Sequence, residues 1–306
     1  LETSAKPKVA LIAGPTASGK SALAVRLAQR LGERGRRAVV LNADSAQVYR
    51  DLQVLSARPT NEEMNGIEHR LFGAWDGATA CSAADWADTA RWEIERLHSE
   101  DAVPILVGGT GLYLRTLLEG IAPVPPIDED VRKGIRAMSQ SEARIALERE
   151  DPKAAARLAP RDAARTMRAL EVIRSTGRSL AHWQANKRGG IGGAIQLTAA
   201  VLLPERQWLF ERCDRRFAAM IENGAREEVI NLLKRQLDTS LPVMRAIGVR
   251  EIADWIAGRA TRNDMLARGQ AATRQYAKRQ YTWFRHQPPR DWVFLESESC
   301  NASGID

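Results

Sequence analysis

Residues 14–21 read Gly-Pro-Thr-Ala-Ser-Gly-Lys-Ser and fit the phosphate-loop pattern Gly-x-x-x-x-Gly-Lys-[Ser/Thr]. The apolar run at 9–13 predicts a buried strand before them, and residues 21–31 place alanine and leucine at helical spacing after them. A loop between a strand and a helix can surround an anion with backbone N–H groups. Lys20 would add a positive charge, and Ser21 could hold a magnesium ion. The alternative interpretation is an ordinary glycine turn that opens a helix.

Composition restricts the class of protein. The chain has 306 residues, of which 44% are hydrophobic, enough for one large domain or two smaller ones with a sizeable core. Its apolar runs are far shorter than the ~20 residues of a membrane span, and residues 1–8 lack the apolar region of a signal peptide. Cys81, Cys213 and Cys300 are too few and too far apart for a disulfide framework or a zinc site. We therefore expect a cytoplasmic protein with no membrane contact.

Positive charge is concentrated near the end of the chain. The formal net charge is +7, and residues 259–290 contain eight basic residues and one acid, interleaved with aromatic residues. Basic groups bind backbone phosphates, and aromatic rings stack on bases. The segment is therefore either a nucleic-acid surface or an amphipathic helix with a solvated basic face and a buried aromatic face. Composition favours neither.

Two more apolar runs, at 38–41 and 103–107, predict further strands. They end in polar loops that contain Asp44 and Thr110. Strands that alternate with helices predict a parallel α/β sheet, and ligands collect at the carboxyl ends of its strands. We therefore expect the loops around Gly14, Asp44 and Thr110 to form one active-site crevice.

Helices are predicted on both sides of these loops. Residues 82–97 have an N-cap serine, Ser82, with Asp85 three positions later. Beyond residue 203 the periodicity predicts four helices, at 205–223, 225–236, 249–257 and 264–285.

The pattern between these regions differs. A proline-rich run at 123–126 introduces a segment without strand signals, and glycines at 189–193 precede a predicted strand at 194–203. We predict an all-helical insertion domain at 123–196 in a P-loop-containing core domain of residues 1–122 and 197–306. The junctions are compatible with a hinge or with a rigidly docked lobe.

Asp44 allows two chemical interpretations. It could organise magnesium in a phosphoryl-transfer site, or it could be a general base beside a phosphate leaving group. The structural alternative is a turn or N-cap aspartate, and Thr110 could likewise be a capping hydroxyl.

Six blocks of the sequence, in order, resemble bacterial tRNA dimethylallyltransferases. They are GPTASGKS (14–21), NADSAQVYR (42–50), HRLFGAWDGATACSAADW (69–86), VGGTGLY (107–113), RALEVIRSTGRSL (168–180) and ATRQYAKRQYTWFR (272–285). The resemblance implies a P-loop NTPase-like parallel sheet flanked by helices. It also implies transfer of a dimethylallyl group from dimethylallyl diphosphate to the N6 amine of the adenosine immediately 3′ of the tRNA anticodon, with release of diphosphate.

By motif, the resemblance also implies the site residues. The diphosphate would be bound by Gly14, Pro15, Thr16, Ala17, Ser18, Gly19, Lys20 and Ser21, with Mg²⁺ on Ser21. Asp44 would be the general base, Thr110 would position the leaving group or bridging oxygen, and Arg216 would bind the diphosphate. Implied tRNA contacts are Asp44, Ser45, Ala46, Gln47, Thr110, Arg132, Ala164, Arg165, Thr166, Met167, Arg168, Arg245, Ala246, Ile247, Gly248, Val249 and Arg250, to which the basic segment adds Arg279 and Arg285.

Two departures from the family pattern stand out. Family members usually carry Gly-Thr-Ala-Lys-Pro where this chain has Leu-Ser-Ala-Arg-Pro at 55–59, and Gly-Tyr-Arg where it has Gly-Val-Arg at 248–250. Val249 therefore removes a tyrosine that could stack or hydrogen-bond with tRNA. The catalytic positions are intact.

The expected partners are tRNA, dimethylallyl diphosphate and Mg²⁺, and we expect a monomer with incidental or no ATP binding. The main alternative is a P-loop small-molecule or nucleotide kinase, which would bind ATP tightly. A GTPase-like RNA-binding module has less support because no Asn-Lys-x-Asp run is present.

Overall fold

The computed structural model describes residues 6–296, so Cys300 lies outside the described residues. A six-stranded sheet forms the centre of the fold, with strand order β3-β2-β4-β1-β5-β6 and parallel pairing throughout. Its strands are β1 (Lys8–Ala13), β2 (Ala38–Asn42), β3 (His69–Arg70), β4 (Val103–Gly108), β5 (Gln196–Leu202) and β6 (Val293–Leu295).

The sheet confirms the predicted α/β class and the strands predicted at 9–13, 38–41, 103–107 and 194–203. The two edge strands, β3 and β6, are not predicted from the sequence. They contain only two and three residues, too few to display an alternating or apolar pattern. Their strand geometry depends on pairing with β2 and β5.

Thirteen helices accompany the strands in the described part of the chain. They are α1 (Lys20–Glu33), α2 (Asn61–Met64), α3 (Ala83–Ser99), α4 (Gly111–Glu119), α5 (Glu129–Arg136), α6 (Gln140–Glu150), α7 (Pro152–Arg157), α8 (Ala163–Thr176), α9 (Leu180–Gln184), α10 (Arg206–Glu222), α11 (Ala225–Lys234), α12 (Val249–Ile256) and α13 (Arg262–His286). A 3₁₀ helix also spans Pro242–Arg245. All of the helices predicted by periodicity are present, with ends that differ by at most two residues.

Burial explains why the P-loop is held firmly. Leu23 and Leu27 of α1 pack against Ile12 of β1 and Ile105 of β4 in the main core, and all four side chains are buried. Burying such side chains stabilises the fold by about 1.5–3 kcal/mol each. The core therefore fixes the strand before the loop and the helix after it.

Helix α3 begins as its sequence predicts. The backbone N–H of Asp85 donates to Ser82 Oγ at 3.2 Å, and the N–H of Ser82 donates to Asp85 Oδ2 at 3.0 Å. This reciprocal pair is a capping box.

Helix α13 combines the two interpretations of the basic segment. Phe284 is fully buried, as expected of an amphipathic helix. Lys278, Arg279 and Arg285 are exposed and remain available to a polyanion.

The described chain divides into two compact units, of which one is the helical segment Leu118–Ile191. Ile135, Leu147 and Leu170 lie in its own buried core. Each end of this segment lies five residues earlier than in the predicted insertion at 123–196. The backbones of Ile121 and Arg188 exchange two hydrogen bonds of 2.9 Å and join the ends of the unit.

Candidate active site

The loops that follow β1 and β2 line one cavity of about 360 Å³. Its P-loop contribution is Thr16, Lys20 and Ser21, and the loop after β2 contributes residues 44–47 and Tyr49. The other lining residues are Leu55, Ser56, Ala57, Cys81, Tyr113, Arg216, Phe217, Met220, Pro242, Arg245, Ala246, Ile247, Thr273, Tyr276 and Arg279.

The P-loop backbone opens toward this cavity at the start of α1. Gly19 is the N-cap of the helix and has a φ of 96°, a conformation that favours glycine. Lys20 Nζ donates to the Pro15 carbonyl oxygen at 3.3 Å. Ser18 Oγ is buried and has no hydrogen-bond partner among the described residues. A helix N-terminus with free N–H groups of this kind is an anion site.

The charges around the cavity favour an anionic ligand. Lys20, Arg216, Arg245 and Arg279 are the cationic lining residues, and Asp44 is the one carboxylate that lines the cavity among residues 6–296. Burial lowers the pKa of Lys20 to about 8, an effect that Asp44 opposes and Arg216 reinforces. Burial also lowers the pKa of Arg216. Two desolvated cations against one carboxylate leave positive charge for a phosphate group to neutralise.

Asp44 is positioned by its own loop. Its backbone N–H donates to Asn42 Oδ1 at 2.9 Å, and its Oδ1 accepts from the Ala46 N–H at 2.9 Å. Within the described residues, Oδ2 has no hydrogen-bond donor. Asp44 is thus a turn aspartate with one oxygen still available, and the residue is 7% exposed.

Thr110 does not line the cavity and instead supports the Asp44 loop. Its Oγ1 accepts from the Ser45 N–H at 2.9 Å and donates to Ser45 Oγ at 3.2 Å. The alternative of a capping hydroxyl is wrong, because these bonds go to the loop after β2 and none goes to an α4 amide within the described structure.

Tyr276 lines the cavity, although no separate role is predicted for it from the sequence. Burial raises the pKa of its phenol, Asp44 raises it further, and the side chains of Thr110 and Ser45 oppose the increase. Gln280, one helical turn later, is 6% exposed and was missed entirely. The available signal was a polar residue on the buried stripe of α13, in register with Thr273, Ala277 and Phe284.

A second carboxylate holds the loop of residues 52–57. Glu228 accepts hydrogen bonds from the N–H groups of three consecutive residues, with distances of 2.9 Å for both Val54 and Leu55 and a shorter contact for Gln53. Gln47 Nε2 donates to the carbonyl oxygens of Ser56 and Ala57 at 3.2 and 2.6 Å. This loop lines the cavity, so Glu228 affects the site from outside it.

The proposed tRNA residues occupy several environments. Ser45, Ala46, Gln47, Arg245, Ala246, Ile247 and Arg279 line the cavity with Asp44. Gly248 and Val249 are buried, and Leu55 fills the space above Gly248, so the two family departures lie side by side. Arg250 and Arg285 are exposed and do not line this cavity.

The remaining proposed tRNA residues belong to the helical unit. Arg132 lies on α5 and residues 164–168 lie on α8. Thr166 is fully buried and Met167 packs against the unit's core, so their side chains are not presented to a ligand. Ala164 and Arg165 are exposed.

A magnesium ion would have few protein ligands in this site. The described residues contain no cluster of three or more His, Cys, Asp or Glu that could hold a metal. Ser21 and Asp44 nevertheless line the same cavity. Mg²⁺ usually binds one or two protein oxygens together with substrate phosphates, so this donor set fits Mg²⁺ carried with a diphosphate.

No helix in the described range, residues 6–296, is long and apolar enough to cross a membrane.

Family comparison adds to this geometry. The sequence model of the IPP transferase family matches residues 47–287, and that of the Zeta toxin family matches residues 1–63. The tRNA dimethylallyltransferase of Erythrobacter litoralis is 67% identical over 292 residues, which is 95% of this chain and 92% of the relative. The enzyme of the same name from Novosphingobium aromaticivorans is 61% identical over 267 residues, 87% of this chain and 95% of the relative.

Solved structures are similar over nearly the whole chain. The full-length tRNA isopentenylpyrophosphate transferase from Bacillus halodurans has a TM-score of 0.69 and 32% identity, covering 98% of this chain and 93% of that one. A eukaryotic dimethylallyltransferase described as acting on tRNA has a TM-score of 0.80 and 25% identity, covering 98% of this chain and 76% of that one.

Proposed function

Because the chain belongs to the IPP transferase family, we propose that it transfers a dimethylallyl group from dimethylallyl diphosphate to the N6 amine of the adenosine immediately 3′ of the tRNA anticodon. The observation that carries this proposal is a single cavity that combines a P-loop, an excess of cations and one buried carboxylate. The P-loop side suits a diphosphate leaving group, and the carboxylate suits a proton acceptor. The enzyme is a transferase that acts on tRNA, and the kinase alternative is not favoured.

Diphosphate binding is assigned to residues 14–21 and Arg216. The N–H groups at the start of α1 would surround phosphate oxygens, and Lys20 and Arg216 would neutralise their charge. As the carbon–oxygen bond breaks, negative charge grows on the diphosphate, and fixed donors stabilise it without reorganisation. The hydrogen bond from Arg216 to Thr16 Oγ1 supports this assignment.

Ser21 is the residue that would hold Mg²⁺, together with oxygens of the diphosphate. The ion would supply further charge neutralisation on the leaving group. Ser21 holds its hydroxyl at the first turn of α1, on the wall of the cavity.

Asp44 is the proposed general base. The adenine amine is a poor nucleophile because its lone pair is delocalised into the ring. A carboxylate that accepts its proton strengthens the attack. The N6–carbon bond forms, the carbon–oxygen bond to diphosphate breaks, and the N6 proton passes to Asp44. The resemblance gives Thr110 the role of positioning the leaving group or bridging oxygen. Because Thr110 does not line the cavity, it would do so through its bonds to Ser45, which follows Asp44.

The adenosine must leave the anticodon-loop stack to reach this carboxylate, at a cost of a few kcal/mol. Gln47, Arg245 and Arg279 line the cavity and would contact the entering nucleotide. Arg132, Arg165 and Arg168 are proposed as further tRNA contacts on the helical unit. We propose that the protein acts as a monomer, and the tRNA substrate favours a cytoplasmic location.

The test is incubation with labelled dimethylallyl diphosphate, Mg²⁺ and an unmodified tRNA that carries adenosines at the third anticodon position and the next one. Nucleoside analysis should show isopentenyl-adenosine. A tRNA with guanosine at the second of these positions should give none. No product, together with consumption of ATP in a parallel assay, would contradict the proposal and support a kinase.

Asp44→Asn tests the role of Asp44 as the base independently of diphosphate binding. Asparagine retains an acceptor for the Ala46 N–H but cannot take up the N6 proton. We expect turnover to fall at least ~100-fold, with diphosphate affinity unchanged or higher because a negative charge is removed. Retained turnover would exclude Asp44 as the base.

A further inference from the structure

The side chain of Gln280 joins two loops of the active site. Its Oε1 accepts a hydrogen bond from the Thr16 N–H at 2.8 Å, and its Nε2 donates to the Gly109 carbonyl oxygen at 2.8 Å. Thr16 belongs to the P-loop, and Gly109 precedes Thr110 in the loop after β4. One buried amide thus connects segments that are 264 and 171 positions away from it in sequence.

Gly109 and Gly111 let the loop after β4 pack closely against α13. A Cβ on Gly109 would overlap Gln280 Nε2 and lie 2.9 Å from the Gly14 carbonyl oxygen. A Cβ on Gly111 would lie within 2.6 Å of the Trp283 ring, on the next turn of α13. The helix and both loops are therefore closely packed, with little space between them.

The connection continues to the proposed base. Thr110 follows Gly109 directly and bonds to Ser45, which follows Asp44. At the other end, Thr16 accepts a hydrogen bond from Arg216. Gln280 itself does not line the cavity. Its hydrogen bonds go to two active-site loops, so any effect of Gln280 on catalysis would act through those loops.

We propose that Gln280 is a positioning residue. It sets the separation between the diphosphate-binding loop and the two hydrogen-bonded loops after β2 and β4, the first of which carries Asp44. This inference rests on the proposed function. Attack by the N6 amine requires the allyl carbon and the base to be aligned at the same moment. A misplacement of about 1 Å by a residue remote from the chemistry can cost about 100-fold in rate.

The first test is Gln280→Met, which keeps the length of the side chain and removes both hydrogen bonds. The matched control is Gln275→Met, at an exposed position of the same helix. We expect the single-turnover rate constant of prenyl transfer to fall about 10–100-fold for Gln280→Met and to stay unchanged for the control. A single-turnover rate constant does not depend on the fraction of inactive protein, so misfolding alone would not lower it.

Two further readouts distinguish positioning from a structural role. In a Thr110→Val background, Gln280→Met should reduce the rate constant less than it does in the parent, because both changes disturb the same connection. In Gln280→Glu, the introduced carboxyl can donate to Gly109 only when it is protonated. The ratio of the Gln280→Glu rate constant to the parent value should therefore rise as the pH is lowered.

The proposal is overturned by an unchanged rate constant in Gln280→Met, by equal effects in the two backgrounds, or by a pH-independent ratio for Gln280→Glu. If Gln280→Met does not fold, the proposal is tested by Gln280→Glu, from the pH dependence of its rate constant relative to the parent value. Failure of the parent protein to prenylate tRNA would instead reject the proposed function. In that case, amide hydrogen exchange at Thr16 still tests the connection, since exchange should be faster in the Gln280 variants than in the parent, and equal exchange would reject it.

Discussion

The guanidinium of Arg216 donates a hydrogen bond to the hydroxyl of Thr16, although 200 positions separate the two residues. Arg216 lies on α10, whereas Thr16 lies in the P-loop after β1. Because burial lowers the pKa of Arg216, its charge is poorly solvated and would gain from an incoming phosphate. The contact makes a helix from the second half of the chain part of the diphosphate site.

Arg216→Lys should weaken diphosphate binding at least about tenfold, which corresponds to about 1.4 kcal/mol of lost interaction. Lysine keeps the charge but loses the planar fork that bonds to two acceptors at once. Calorimetric titration with dimethylallyl diphosphate measures the change. Arg215→Lys is the matched control, because Arg215 is exposed on the same helix. Equal affinities for the two variants would show that Arg216 does not bind the diphosphate.

Diphosphate binding should also depend on pH through Lys20. With its pKa at about 8, this lysine is charged at pH 7 and mostly neutral at pH 9. Affinity for dimethylallyl diphosphate should therefore decline as pH rises through 8, by about tenfold between pH 7 and pH 9.

Lys20→Arg provides the comparison, since arginine keeps its charge over this range. Its binding should vary with pH only as far as the ligand's own ionisation requires. Parallel pH profiles for the two proteins would show that Lys20 does not titrate in this range.

Glu228→Ala should loosen the loop of residues 52–57, although Glu228 itself does not line the cavity. Three backbone N–H groups lose a charged acceptor, and hydrogen bonds to charged groups contribute about 1.5–3 kcal/mol each. We expect a lower melting temperature and a reduced kcat/KM for tRNA. Thermal denaturation and steady-state kinetics measure the two effects. Glu227→Ala, at an exposed neighbouring position, should change neither, and an equal effect from it would contradict this role.

Arg279→Gln should weaken tRNA binding and reduce the slope of log affinity against log salt concentration by about 1. Arg279 is exposed and lines the cavity. Filter binding at several salt concentrations gives the slope. Arg285→Gln tests the second predicted contact at the end of α13. Arg268→Gln, which removes a cation paired with Asp254 at 2.9 Å, is the control. A slope equal to that of the parent would show that these arginines do not bind tRNA phosphates and form only a solvated helix face.

Local patterns in the sequence determined much of this protein. Apolar runs predicted the four longer strands, and helical periodicity predicted the helices around them. The loops at residues 14–21 and at Asp44 could be placed in one crevice because parallel strands end at the same edge of a sheet. These features depend on residues close together in the chain, so the sequence displays them directly.

Only the tertiary structure decided the rest. Thr110 supports Ser45 instead of facing the cavity, Glu228 holds a loop more than 170 positions away, and Gln280 joins two loops from a third segment. The edge strands β3 and β6 exist through their pairing partners. Each of these features is a hydrogen bond between distant parts of the chain. Such bonds need parts of the chain that the hydrophobic core brings together, so no local pattern of residues could predict which groups are paired.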